Sequence, residues 1–174
     1  MMLRDVELSD VDAYIRMRCD PVMMADLGGP LPRDGIADKV RRDVAEAKAG
    51  TAWLKMIVLD EAKPDEVAGS LALWRHTDHG EEIAEVGWMV LPEFQGRGIG
   101  KRAVAMLLDQ ARGHGRWASV HAFPGVTNAA SNGICRSLGF RLLGTEDYEF
   151  VGRPMYVNHW VIDPGQDLTI HPTG

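Results

Sequence analysis

Val90-Leu91-Pro92-Glu93-Phe94-Gln95-Gly96-Arg97-Gly98-Ile99-Gly100-Lys101-Arg102 is the stretch from which the rest of the chain is read. Three glycines alternate with other residues between an apolar run, Ile83–Leu91, and an amphipathic run over about Gly98–Arg112. In the second run Ile99, Ala103, Met106, Leu107 and Ala111 recur at helical spacing, so the stretch reads as a strand-to-helix turn. The first amides of a helix have no internal partner, and the aligned peptide dipoles add partial positive charge there. Glycine lets the backbone curl toward a ligand without a side chain in the way. The turn therefore predicts a preformed anion cradle, with the charges of Arg97, Lys101 and Arg102 beside it.

Two common phosphate loops do not fit. A dinucleotide fingerprint needs G-x-G-x-x-G, and counted from Gly96 the third glycine comes one position early. A P-loop needs G-x-x-x-x-G-K-[ST], but Gly100-Lys101 is followed by Arg102 and the position five before Gly100 is Gln95. A nicotinamide cofactor and an ATPase are both disfavoured.

Outward from this turn the chain alternates between the two periods. Met2–Leu8 reads as a strand, and Ser9 with Asp12 as a capping box opening a helix over about Asp10–Cys19. A second helix fits Asp34–Ala49, with Gly50 at its C-terminal cap. Ala52–Leu59, Val67–Trp74 and Ile83–Leu91 read as strands separated by polar turns, the second turn covering His76–Glu82. Ser119–Phe123 is a short strand and Asn128–Leu138 a helix. Phe140–Thr145 and Met155–Ile162 close as strands, with Asp147, Tyr148 and Glu149 in the loop between them. The order β α α β β β α β α β β predicts an α/β domain with one central mixed sheet. Its early strands should be antiparallel, and the pair around the glycine turn parallel through a right-handed crossover.

The 174 residues suit a single domain, and 45% hydrophobic with 25% charged residues is an ordinary globular composition. A formal charge of −6 argues against a nucleic-acid binder. The two cysteines, Cys19 and Cys135, cannot form a disulfide framework, which fits a reduced, cytoplasmic chain. No run has the length of a membrane span or of a signal peptide's apolar core. The domain is expected over 1–162 and a loose tail over 163–174.

Gln95-x-x-Gly98-x-Gly100 after Val90-x-Pro92 closely resembles the acetyl-CoA-binding motif of the GNAT acetyltransferases. Asn128-Ala129-Ala130-Ser131 followed by Leu138-Gly139-Phe140 looks like the family's second cofactor-side helix and the strand after it. The element order is similar from end to end. Asp20-Pro21-Val22-Met23 and Asn128-x-x-Ser131 look most like the branch that includes ribosomal-protein N-terminal acetyltransferases. The resemblance implies a single-domain α/β fold with a mixed, mostly antiparallel sheet flanked by about four helices.

It also implies acetyl transfer from acetyl-CoA, as co-substrate, directly to a primary amine of a small molecule or a peptide N-terminus, without a metal. The amides of Gln95, Gly96, Arg97, Gly98, Ile99, Gly100 and Lys101 would hold the pyrophosphate. Met89 and Val90 would pair with the pantetheine arm, and the Val90 N–H would polarise the thioester carbonyl. Asn128, with Ser131 on the same helix, would bond the pantetheine or the adjacent phosphate. Pro92, lacking an N–H, would end strand pairing and let its neighbours splay.

An amine must lose a proton before it attacks. Glu85 is the first candidate base, since Glu85, Gly87 and Met89 share one sheet face and Gly87 leaves room beside the carboxylate. His121, on the next strand, is the second. Cys135 stands where many family members carry a tyrosine that protonates the departing thiolate; a thiol of pKa ~8.5 could do so, or Cys135 packs on a buried helix face. His76 and His79 fall in a polar turn without further ligands and do not suggest a metal site. A non-catalytic acyl-CoA-binding regulatory module on the same fold is the alternative function.

The charge divides unevenly. Between Phe94 and Arg141 seven basic residues face the single acid Asp109, a net +6, so the −6 total leaves −12 for the rest. A basic half suits a polyphosphate, and the acidic remainder suits a cationic amine acceptor. No nucleic-acid or membrane partner is expected, and an exposed sheet edge near Met155–Ile162 would allow a homodimer.

Overall fold

Leu54, Met56 and Val58 pack to one side of their strand and Ile57 to the other, which already shows a sheet covered on both faces. The computed structural model describes residues 1–150 and 152–165. Its elements are β1 (Met2–Asp5), α1 (Val11–Arg18), α2 (Ile36–Ala49), β2 (Trp53–Val58), β3 (Val67–Asp78) and β4 (Glu81–Val90). They continue with α3 (Ile99–His114), β5 (Val120–Ala122), α4 (Ala129–Ser137), β6 (Arg141–Phe150) and β7 (Arg153–Ile162). The order is the expected one. The strands form one seven-stranded sheet, β1-β2-β3-β4-β5-β7-β6, antiparallel everywhere except between β4 and β5.

On one face α3 buries Ile99, Ala103, Val104, Leu107, Leu108 and Ala111, with Cys135 of α4 and Leu138 just after it, against Leu71, Leu73, Val86 and Val120. Met106, expected on that stripe, is only partly buried; Val104 and Leu108 take its place because the contact stripe runs at i, i+4 and i+1, i+5. On the other face Tyr14 and Met17 of α1 and Val40 and Val44 of α2 cover Leu54, Met56 and Met89. Glu85, Gly87 and Met89 lie on this second face.

Several boundaries differ from the sequence reading, each for a local reason. β1 ends at Asp5, and a short 3-10 turn, Leu8–Asp10, precedes α1. The cap there belongs to Glu7 and Asp10, not to Ser9: Asp10 accepts the Glu7 amide at 2.8 Å and holds Arg4 through two bonds of 2.8 and 2.6 Å. The polar turn expected over His76–Glu82 shrinks to the hairpin tip, where His79 (φ 46°) and Gly80 (φ 86°) make the reversal. His76 is thus a strand residue. β6 likewise extends to Phe150, so Asp147, Tyr148 and Glu149 are in a strand paired with β7, not in a loop. β7 lies between β5 and β6 in the sheet, pairing with β5 over Trp160–Ile162 and bridged to Gly125 at Val157; the sheet's outermost strands are β1 and β6. The expected tail lies, from 166 onward, outside the described residues.

β4 and β5 pair only at Ala84 with Val120 and Glu85 with His121. β5 then leaves. Pro124, just past its end, has no amide to continue a ladder, and Gly125 bridges to Val157 of β7 instead. From Val86 to Val90, β4 keeps β3 as its ladder partner and its other edge opens. Pro92 has a more limited part than expected: it begins a 3-10 turn, Pro92–Phe94, that ends β4.

Candidate active site

The wedge between the parting strands opens into a cavity of about 610 Å³, lined from both β4 and the glycine turn. At the turn Gly96 and Gly98 have φ of 72° and 69°, a left-handed region that glycine adopts without strain. A Cβ added at either would meet nothing within 4 Å, so the backbone there borders open space. The first bond of the α3 ladder is donated by the Arg102 amide to the Gly98 carbonyl at 3.1 Å. The amides from Gly96 to Lys101 precede it, and among the described residues they have no backbone acceptor. Gly100 is a different case: a Cβ there would lie 3.0 Å from Ile134 Cδ1 and 3.3 Å from Val90 Cγ2, so it lets α3 approach α4 and β4 closely.

Gln95 departs from the expected role. Its amide donates to Pro92 O at 3.2 Å, and its side-chain Nε2 donates to Val90 O at 2.8 Å. Val90 O therefore faces the open edge. The Leu91 amide bonds back to Ala68 O at 2.9 Å, so ladder alternation turns the Val90 N–H toward that open edge as well. Arg97 does not line the cavity; its guanidinium lies over the Phe94 ring, 5.9 Å from the centroid. Asn128 and Ser131 do line it. Asn128 Oδ1 accepts the Ser131 amide at 3.0 Å as the N-cap of α4, which leaves its amide nitrogen and one Oδ1 lone pair for a ligand.

Glu85 is 7% exposed and lines the same cavity. Its Oε2 takes two bonds, from His76 Nε2 at 2.7 Å and from Tyr148 OH at 2.8 Å. A carboxylate only accepts, so His76 carries its proton on Nε2. Oε1 has no partner among the described residues and is not sealed from the cavity. The Glu85 hydrogen bond, more than any other contact, raises the His76 pKa above the usual imidazole value; burial opposes it. Burial also pushes the Tyr148 phenol up, and the Glu85 charge adds to this, so Tyr148 stays protonated and keeps donating.

The other two expected catalytic residues are placed elsewhere. His121 has both ring nitrogens engaged, Nδ1 with His159 Nε2 at 2.7 Å and Nε2 with Ser119 Oγ at 3.2 Å, and it does not line the cavity. Burial, then the neighbouring His159, lowers its pKa. Cys135 is fully buried on the far side of the sheet from Glu85, and burial pushes its thiol up to about 12. Packing, not proton donation, is what its surroundings provide. Asp78, His79 and Glu146 gather at the hairpin tip with ligand atoms within 4.8 Å of one another, away from the cavity.

Sequence reasoning did not connect His76 and Tyr148 with Glu85, because in sequence one belongs to a polar turn and the other to a loop that could meet a cationic acceptor. The period-2 placement of His76 with Trp74, on the face shared with Glu85, was the available signal. It also missed Asn132, which is 2% exposed and uses all its bonding capacity. Asn132 donates to Gly125 O and Asn128 O, and accepts from Asn158 Nδ2 at 2.7 Å and Trp160 Nε1 at 2.9 Å.

A family model described as an acetyltransferase (GNAT) domain matches residues 1–141. Among solved structures, an acetyltransferase from Salmonella typhimurium that modifies the N-terminal serine of a ribosomal protein is similar at 21% identity. The match covers 92% of this chain and 93% of that one, with a TM-score of 0.74. A ribosomal alpha-N-protein acetyltransferase, RimL, solved with coenzyme A, is 20% identical over 94% of each chain, with a TM-score of 0.70. A chimera of the spermidine N-acetyltransferase SpeG from Vibrio cholerae and hSSAT is 18% identical over 94% of this chain and 95% of that one, with a TM-score of 0.73. At these identities the likeness is one of fold.

Proposed function

The chain belongs to the acetyltransferase (GNAT) family, and we propose that it transfers an acetyl group from acetyl-CoA directly to a primary amine of a small molecule or peptide. One observation carries this reading. The anion cradle at Gly96–Lys101, the open edge of β4 at Val90 and the half-engaged carboxylate of Glu85 all face one cavity. Acetyl-CoA supplies an activated acyl group on a good leaving thiolate.

The residues present fit such a co-substrate. Free amides at a helix N-terminus suit a pyrophosphate, and glycines without Cβ crowding let it approach. Lys101 lines the cavity and adds charge. The Met89–Val90 edge offers an extended arm a strand to lie against. The Val90 N–H, turned to that edge, can donate to an oxygen on which negative charge develops, and one such donor contributes about 3 kcal/mol in a transition state. Glu85 Oε1 can take the ammonium proton directly or through one water, while His76 and Tyr148 hold the carboxylate in place. The departing thiolate draws its proton from water or from the amine, since neither Cys135 nor His121 borders the cavity.

The identity of the acceptor does not follow from the fold. The similar structures include enzymes named for ribosomal-protein N-termini and for spermidine. Among the described residues no helix is long and apolar enough to cross a membrane; a cytoplasmic setting is part of the proposal. Release of CoA thiol on mixing the protein with acetyl-CoA and a panel of amines tests the function. The alternative, a binding module without turnover, predicts acetyl-CoA binding and no thiol.

A further inference from the structure

Arg18, the last residue of α1, lines the cavity without a counter-ion. Among the described residues its side chain makes no hydrogen bond and no ion pair, and its Nε is closed off from solvent with no acceptor. The guanidinium lies over the Tyr14 ring, 5.5 Å from the centroid. The carboxylate on the adjoining helix is already engaged: Asp43 accepts from Tyr14 OH at 2.8 Å and from Lys39 Nζ at 2.9 and 3.0 Å. The Arg18 charge reaches Lys39, whose pKa is lowered by burial first and by Arg18 second. An arginine held this way, partly desolvated and unpaired, is costly unless something completes it.

Resting on the acetyltransferase reading, we infer that Arg18 is an acceptor-recognition residue for a carboxylate, so that the preferred acceptor carries an anionic group as well as its amine. The two Nη groups of a guanidinium lie side by side in one plane, which matches the two oxygens of a carboxylate. Glu85 Oε1 and Arg18 then read the two ends of one molecule, ammonium and carboxylate. This reverses part of the expectation from net charge: the acidic remainder of the chain does not make the acceptor pocket uniformly acidic. Omega-amino carboxylates and peptides with an acidic side chain near the N-terminus both present this pair of groups.

The test uses matched acceptors with the full-length protein and acetyl-CoA. One arm compares omega-amino carboxylates of increasing length with the alkylamines lacking the carboxylate. The other compares short peptides bearing Asp with the same peptides bearing Asn. The expected result is that at least one carboxylate member exceeds its neutral partner tenfold or more in kcat/KM, and the arm in which this occurs identifies the source. Arg18→Gln should bring the pair within about twofold while leaving the KM for acetyl-CoA unchanged, and Arg18→Lys, which keeps the charge but loses the fork, should fall between. Melting temperatures of both variants check that they fold. Calorimetry of the same ligands on the CoA-loaded protein reads the preference without turnover, so a failure of catalysis is separable from a failure of this site. No preference in either arm, a preference that survives Arg18→Gln, or a KM for acetyl-CoA that rises as much as the acceptor's would overturn the assignment.

Discussion

His76 Nε2 stands 2.7 Å from Glu85 Oε2, across the β3–β4 hairpin and on the face that borders the cavity. The imidazole of the pair is partly exposed, and Glu85 lines the cavity with no partner on Oε1 among the described residues. Glu85→Gln keeps the shape and removes the basic oxygen. We expect kcat to fall about 10²–10⁴-fold, the range for a lost general base, with the KM for acetyl-CoA little changed. A kcat equal to that of wild type would remove Glu85 as the base.

The same pair makes stability depend on pH. Its bond to Glu85 raises the His76 pKa above the unfolded value. The contribution is therefore complete below the unfolded pKa of about 6.5 and is lost as pH rises through the raised folded value. Melting temperature measured from pH 6 upward should decline through that window. His76→Gln, which can still donate a hydrogen bond but does not titrate, should remove this component of the decline.

Gly98→Asp adds a carboxylate to the cradle and strains a residue at φ 69°. Like charge beside a phosphate site, in front of amides that would otherwise be free, should weaken acetyl-CoA binding at least tenfold by calorimetry. Unchanged affinity would place the phosphates elsewhere.

Most of the fold was legible in the chain because the periods change cleanly from 2 to 3.6 between elements, and glycines such as Gly50 and Gly139 mark helix ends. The cradle was legible because its residues are contiguous. The acid–base end was only half legible. Glu85 follows from alternation on one strand, but His76 and Tyr148 reach it from β3 and β6, and those pairings depend on long-range register. Arg18 gave no signal, since an unpaired arginine is recognised by what is missing around it. Cys135 departs from the family's tyrosine, and of the two roles open to it in sequence the structure has the packing one, its side chain turned into the core between α3 and the sheet.

Gly69→Ala tests the packing that holds the open edge. A Cβ on Gly69 would lie 2.1 Å from the Met89 carbonyl oxygen, a backbone atom that cannot rotate away. Either β4 shifts at Met89–Val90 or the variant loses stability, by about 1–3 kcal/mol from overpacking. Denaturant melts and acetyl-CoA affinity should both worsen, since the same segment forms the edge.

Asn132→Leu leaves the Trp160 indole N–H and the Asn158 amide without their partner, while the Gly125 carbonyl keeps the Asn128 amide. Each lost partner costs about 1–3 kcal/mol where water cannot replace it. We expect a loss of at least 2 kcal/mol in urea unfolding, on that scale, and no change in the pH–rate profile of the folded fraction.

The central claim is acetyl transfer at the wedge between β4 and β5, and titration of released CoA thiol measures it most directly. With acetyl-CoA and a panel of amines and short peptides, we predict thiol release that depends on the acceptor and is lost in Glu85→Gln. Tight binding of acetyl-CoA with no thiol released on any acceptor would contradict it.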